Sequence, residues 1–77
     1  MKSPAELIAR QVPRAIDDAL EAGHMHDLYA RVIAIAEKPL IEETLKRSRG
    51  NQSHAADMLG INRNTLRKKI KALGCIA

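Results

Sequence analysis

Apolar residues recur at spacings of three and four over residues 5–20, where Leu7, Ile8, Val12, Ile16, Ala19 and Leu20 form one helical stripe. Pro13 interrupts it. A proline inside a helix clashes with the carbonyl four residues back, so two readings fit: the helix kinks at Pro13, or it begins there with Pro13 in its first turn. Gly23 closes the stripe, at a position that suits left-handed backbone. A second stripe runs from Asp27 through Leu28, Val32, Ile35 and Ala36 to Leu40, Ile41, Thr44 and Leu45. Its helical spacing survives Pro39, which predicts one kinked helix of about twenty residues, roughly 30 Å long. Such a helix is long for a chain of 77 residues, and its spare apolar stripe predicts a partner chain.

Two short helices follow. Gly50 ends the long one, and Asn51 is placed to cap a helix from Gln52 to Leu59 with Ala55, Ala56 and Leu59 facing inward. Gly60-Ile61 makes a tight turn, and Asn62 caps a last helix from Arg63 to about Leu73. Small alanines and a glycine turn let the last helix cross the one before it steeply, as in a helix-turn-helix. No strand pattern, repeat or flexible linker occurs, so the expected fold class is all-α.

Composition sharpens this picture. Apolar residues make up 45% of the chain, yet there is one Tyr and no Phe or Trp, so the core is aliphatic. A chain this short has no room for a large enzyme cleft, and its one Cys forms no internal disulfide. Below about 70–80 residues a core supplies only about 3–5 kcal/mol, which makes oligomerisation the expected support. Cys75 reads as an exposed free thiol. No secretory leader and no membrane-length apolar run is present, which predicts a cytoplasmic protein with no membrane partner.

Charge is segregated along the chain. Residues 1–45 carry net −3, whereas residues 46–77 carry net +7, with Asp57 their lone acid. A compact basic segment points to a polyanion, and nucleic acid is the commonest. On the last helix, counting about 100° per residue from Arg63, Arg67, Lys71, Asn64 and Lys68 fall within about 40–140°. Leu66, Ile70 and Leu73 fall near 280–340° on the same count. One face is apolar and the other is a ridge of donors. A helix fits the major groove, where Arg pairs with guanine and Asn with adenine, while Lys and the Thr65 hydroxyl reach phosphates. The first turn reads bases, which makes Asn62, Arg63, Asn64 and Arg67 the leading candidates; Asn62 fits a pure capping role equally. Asn51, Gln52 and Ser53, opening the preceding helix, are candidates for a phosphate clamp. Arg47 and Arg49 suit either flanking phosphates or the helix dipole.

Catalytic and metal readings find less support. His24 and His26 are too few for a metal site without Cys, and they read as solvent-facing loop residues. Asp17-Asp18 and Glu42-Glu43 are adjacent pairs that point about 100° apart on a helix, so they read as solvated faces. Neither a Gly-rich phosphate loop nor a Cys/His nucleophile pair occurs. The expectation is no enzyme, no cofactor and no metal.

The segment from Lys38-Pro39-Leu40-Ile41 through Arg49-Gly50-Asn51-Gln52-Ser53 to Gly60-Ile61-Asn62-Arg63-Asn64-Thr65-Leu66-Arg67-Lys68-Lys69 resembles the Fis family. It also resembles the homologous C-terminal domain of NtrC-type activators of sigma-54-dependent transcription. The resemblance covers roughly residues 27–74, and the stretch from Gly60 to Gly74 is its most specific part. It implies an all-α homodimer in which the N-terminal helices of two chains intertwine into a four-helix core, and each helix-turn-helix enters the major groove. It also implies a nucleoid-associated regulator that bends double-stranded DNA and influences the transcription machinery. By motif position, the family's DNA contacts fall on Asn51, Ser53, Asn62, Arg63, Thr65, Arg67, Lys68, Lys69 and Lys71. Lys69 lies off the polar face, and a phosphate at the groove edge reconciles the two lists.

Departures from the family pattern shape the expectations. The enterobacterial type carries an N-terminal arm that contacts a recombinase, where this chain has only Met1 to about Pro4, which argues against invertase activation. Asn64 stands where a small residue is frequent, and Ala72 where a basic one is. The stretch Ala19-Leu20-Glu21-Ala22-Gly23-His24 is more similar to NtrC domains than to Fis. Met1 fits a free-standing small protein and equally an excised domain. The expected organisation is one Fis-like domain over residues 1–77, with dimerisation helices in 5–49 and the helix-turn-helix in 51–73. Val12, Ile16, Leu20, Leu28, Val32, Ile35, Leu40 and Leu45 are the candidate dimerisation residues.

Overall fold

A computed structural model describes residues 2–76. Four helices follow one another: α1 (Pro4–Glu21), α2 (Leu28–Arg47), α3 (Gln52–Leu59) and α4 (Arg63–Leu73), with no strand among the described residues. The fold is all-α. The chain divides into two compact units, one up to Ala34 and one from Ile35 onward. The boundary lies inside α2 at the residue whose carbonyl faces Pro39, where the helix ladder lacks one N–H donor.

In the first unit α1 is continuous, and Pro13 lies inside it rather than opening it. The helix starts earlier because Ser3 and Pro4 supply better opening chemistry. Ser3 Oγ accepts from the Glu6 N–H at 3.2 Å, and Pro4 occupies the first turn, where its missing N–H costs nothing. At the other end Gly23 takes φ 97°, the His24 N–H donates to the Ala19 carbonyl and the Gly23 N–H to that of Leu20. These two bonds satisfy carbonyls that the helix end would otherwise orphan. His24, expected to face solvent freely, is half-buried with its Nδ1 3.1 Å from Asp27 Oδ2.

The second unit closes a core. Ile41 and Leu45 of α2 pack with Ala55 and Ala56 of α3 and Leu66 of α4, flanked by Leu59, Ile61, Ile70, Leu73 and Cys75. Leu45 is therefore a correction: expected on a dimerisation face, it is 1% exposed inside its own chain. The stripe that placed it with Leu40 has a buried side and an open side, and Leu45 falls on the buried one. Thr44 and Ser48 join this core because each hydroxyl donates to a carbonyl of α2, Leu40 at 2.7 Å and Leu45 at 3.1 Å. Cys75 is likewise half-buried rather than exposed, and burial pushes its thiol pKa up.

Candidate nucleic-acid interface

The end of α2 sets up the site. Its last carbonyls are satisfied when the Arg49 N–H donates to Lys46 and the Gly50 N–H donates to Leu45 at 2.8 Å. That geometry puts Arg49 in the left-handed region at φ 56°, the sole non-glycine residue there among those described, with Gly50 following at φ 80°. The helix thus closes one residue before the glycine expected to close it. Arg49 remains exposed, whereas the Arg47 Nε donates to Glu43 Oε2 at 2.9 Å within α2. This bond, with Lys46 beside it, holds the Glu43 carboxyl below its ordinary pKa. Of the two arginines, Arg47 is engaged on its own helix and Arg49 is open.

Asn51 caps α3 as its sequence position predicts, its Oδ1 accepting from the His54 N–H at 3.0 Å. The Gln52 and Ser53 amides, in the first turn, have no intrahelical acceptor and face outward from the helix start. Ser53 is exposed and Gln52 half-buried. Gly60 then turns the chain at φ 73°, a conformation that disfavours any side chain. Ala55 and Ala56 are fully or almost fully enclosed, and their small size brings α4 close across α3.

Asn62 caps α4, its Oδ1 accepting from the Asn64 N–H at 2.7 Å. The capping role is therefore realised, and the amide NH₂ of Asn62 keeps its donors. Leu66 is wholly enclosed, with Ile70 and Leu73 half-buried, as the face assignment predicts. Arg63, Asn64, Thr65, Arg67, Lys68 and Lys71 are exposed, and Asn64, Arg67, Lys68 and Lys71 line a shallow concavity. No Asp or Glu carboxylate among the described residues lies within ion-pair distance of Arg63, Arg67, Lys68 or Lys71. Their charge is available to a ligand.

Lys69 is the exception. The position carried over as a DNA contact is turned off the ridge, and its Nζ donates to Glu37 Oε2 of α2 at 2.7 Å. Sequence reasoning missed Glu37, because a pair separated by 32 residues leaves no local signal. It also missed the tail, where the Ile76 N–H donates to Glu42 Oε2 at 2.8 Å. The Ser3–Glu6 cap, by contrast, had a readable signature in the Ser-x-x-Glu spacing.

Comparison with known proteins meets this site at its centre. The family described as bacterial regulatory protein, Fis family, matches residues 32–73. The DNA-binding protein Fis of Aliivibrio fischeri (strain MJ11) is 49% identical over 55 residues, covering 71% of this chain and 56% of that protein. The same figures hold for the DNA-binding protein Fis of Proteus mirabilis (strain HI4320). The DNA-binding transcriptional regulator NtrC of Rhizobium meliloti (strain 1021) is 52% identical over 65 residues, covering 84% of this chain and 13% of that protein. The chain spans a little over half the length of these Fis relatives. No solved structure matches it. With its helix-turn-helix half inside the matched region, the chain belongs to the Fis family of bacterial regulatory proteins.

Proposed function

We propose that the chain is a dimeric DNA-binding regulator of the Fis type, which reads the major groove with α4 in two adjacent half-sites and bends the duplex. The observation that carries this reading is the two-sided α4: Leu66 is enclosed while Arg63, Asn64, Arg67, Lys68 and Lys71 stand exposed. Arg63 and Arg67 have the fork that pairs with guanine, and Asn64 the amide that pairs with adenine. Lys68, Lys71 and the Thr65 hydroxyl reach phosphates, as do the Gln52 and Ser53 amides and the side chains of Asn51, Gln52 and Ser53 at the start of α3. The free NH₂ of Asn62 adds a donor beside them. That the Fis relatives are named DNA-binding proteins supports the same reading.

Dimerisation rests on apolar surface left open. Leu20, Ile35 and Leu40 are exposed, and Val12, Ile16, Leu28 and Val32 are only half-buried. A second copy of the chain covers them in this reading. In that role the protein works on the cytoplasmic nucleoid and influences the transcription machinery, as a binding protein and not an enzyme. No helix among the described residues is long and apolar enough to cross a membrane.

The test is sedimentation with a fluorescent duplex of about 27 base pairs, room for two half-sites one helical turn apart. A site-bearing and a scrambled duplex are compared at about 50 and 200 mM salt, between which affinity falls by about three to five decades if six to ten phosphates are neutralised. Two chains per duplex with preference for the site are expected. Arg63→Ala is expected to cost about 1–3 kcal/mol of binding and relax discrimination at one base. Monomers that bind neither duplex sink the reading.

A second reading has its own observation. The NtrC relative aligns with 84% of this chain against 71% for Fis, which favours the DNA-binding and dimerisation domain of a larger sigma-54-dependent activator. Dimers that bind both duplexes equally and weakly select it.

A further inference from the structure

We propose that Glu37 sets the strength of the DNA interface: holding the Lys69 ammonium against α2, it withholds one sequence-independent phosphate contact. The inference rests on the DNA reading above. Among the basic residues of α4, Lys69 alone has a carboxylate partner among the described residues, and that partner comes from another helix. The pair is also unlike the surface pairs of α2. Lys46, Arg47 and Glu43 are 79%, 70% and 51% exposed, whereas Lys69 and Glu37 are 37% and 29% exposed at 2.7 Å. Partial burial strengthens the attraction, and the remaining exposure leaves the ammonium within reach of a competing anion.

Position on the helix completes the argument. Lys69 falls near 240° on the count from Arg63, between the donor ridge and the apolar face. Its flexible four-carbon stem swings toward either side, to the carboxylate of Glu37 or to a phosphate at the groove edge. Phosphate contacts add affinity on every sequence alike, so each one withheld lowers specific and non-specific binding by the same factor. The absolute affinity and its salt dependence fall as a result, and the ratio of specific to non-specific affinity is unchanged.

The experiment measures binding of the full chain, Glu37→Gln and Lys69→Gln to a scrambled duplex across a salt series, with thermal melts alongside. Glu37→Gln keeps the shape and removes the charge, freeing Lys69. It is expected to steepen the slope of log affinity against log salt by about 0.9 per protomer, which is about eightfold tighter at 0.1 M. Lys69→Gln is expected to leave the parent slope unchanged, because that cation contributes nothing while Glu37 holds it. If Glu37→Gln fails to fold, Lys69→Gln decides alone. A Glu37→Gln protein with the parent's melt and an unmoved or weaker slope overturns the inference, as does a Lys69→Gln protein that loses about 0.9 per protomer. A parent that binds no duplex overturns the DNA reading and the inference together, whereas a parent that binds beside an unmoved Glu37→Gln overturns the inference alone.

Discussion

The residues up to Ala34 and those from Ile35 onward have similar aliphatic content but use it in opposite ways. In the first unit Ala19 is the one buried side chain among those described, and Leu7, Ile8, Leu20, Met25, Tyr29 and Ile33 stand exposed. The second buries Ile41, Leu45, Ala55, Ala56 and Leu66 together and satisfies its buried hydroxyls on carbonyls of α2. The difference teaches where each unit's stability comes from. Short helices joined by a tight turn enclose a core within one chain, while a long amphipathic helix presents more apolar surface than its own unit covers.

The sharpest way to break this comparison is Leu66→Ala. Removing a wholly enclosed leucine costs about 2–5 kcal/mol, comparable to the about 3–5 kcal/mol that a core of this size supplies. The expected outcome, read by circular dichroism during heating, is loss of the cooperative melt near room temperature. A melt that barely moves shows the second unit to be no more self-sufficient than the first.

Leu20→Ala probes the other side. Leu20 is 43% exposed, so its truncation adds little to unfolding of the isolated chain. If a second copy covers it, the loss counts twice, and association weakens by about 3 kcal/mol, on the order of 100-fold. Sedimentation velocity over a dilution series reads the shift from two chains to one.

Arg49→Gly tests the joint that leads into the helix-turn-helix. Relief of left-handed backbone is worth roughly 1–2 kcal/mol, against about 0.4–1 kcal/mol from a freer unfolded chain. A net gain of up to about 1.6 kcal/mol is expected, raising the melting temperature by several degrees. A lower melting temperature shows that the Arg49 side chain supports the fold.

The smallest effect belongs to Glu43. Its folded carboxyl is the stronger acid because Arg47 donates to it and Lys46 lies near. A lowered folded pKa stabilises the protein above the ordinary carboxylate range, and that contribution is lost as pH falls through the lowered value. Arg47→Ala is therefore expected to move the Glu43 titration toward its ordinary value, followed by carbon-detected NMR, and to flatten the acid end of the stability profile slightly.

Much of the second unit is legible in the chain. Asn51, Asn62, Gly60 and Gly74 bracket α3 and α4 because caps and left-handed glycines are local requirements. The donor ridge of α4 also follows from period alone. The start of α1 was recoverable from Ser3 and Glu6, and the competing signal of Pro13 obscured it.

The sequence by itself determined four helices, the ends of α3 and α4 and the division of α4 into an enclosed and an open face, because each depends on contacts within a few residues. Tertiary structure alone decided that Leu45 goes into its own core while Leu40 of the same stripe stays exposed. It also decided that Lys69 answers to Glu37, and that Cys75 is drawn in beside the core. Helical period says which side chains share a face; what covers that face depends on segments tens of residues away, whose approach no local pattern encodes.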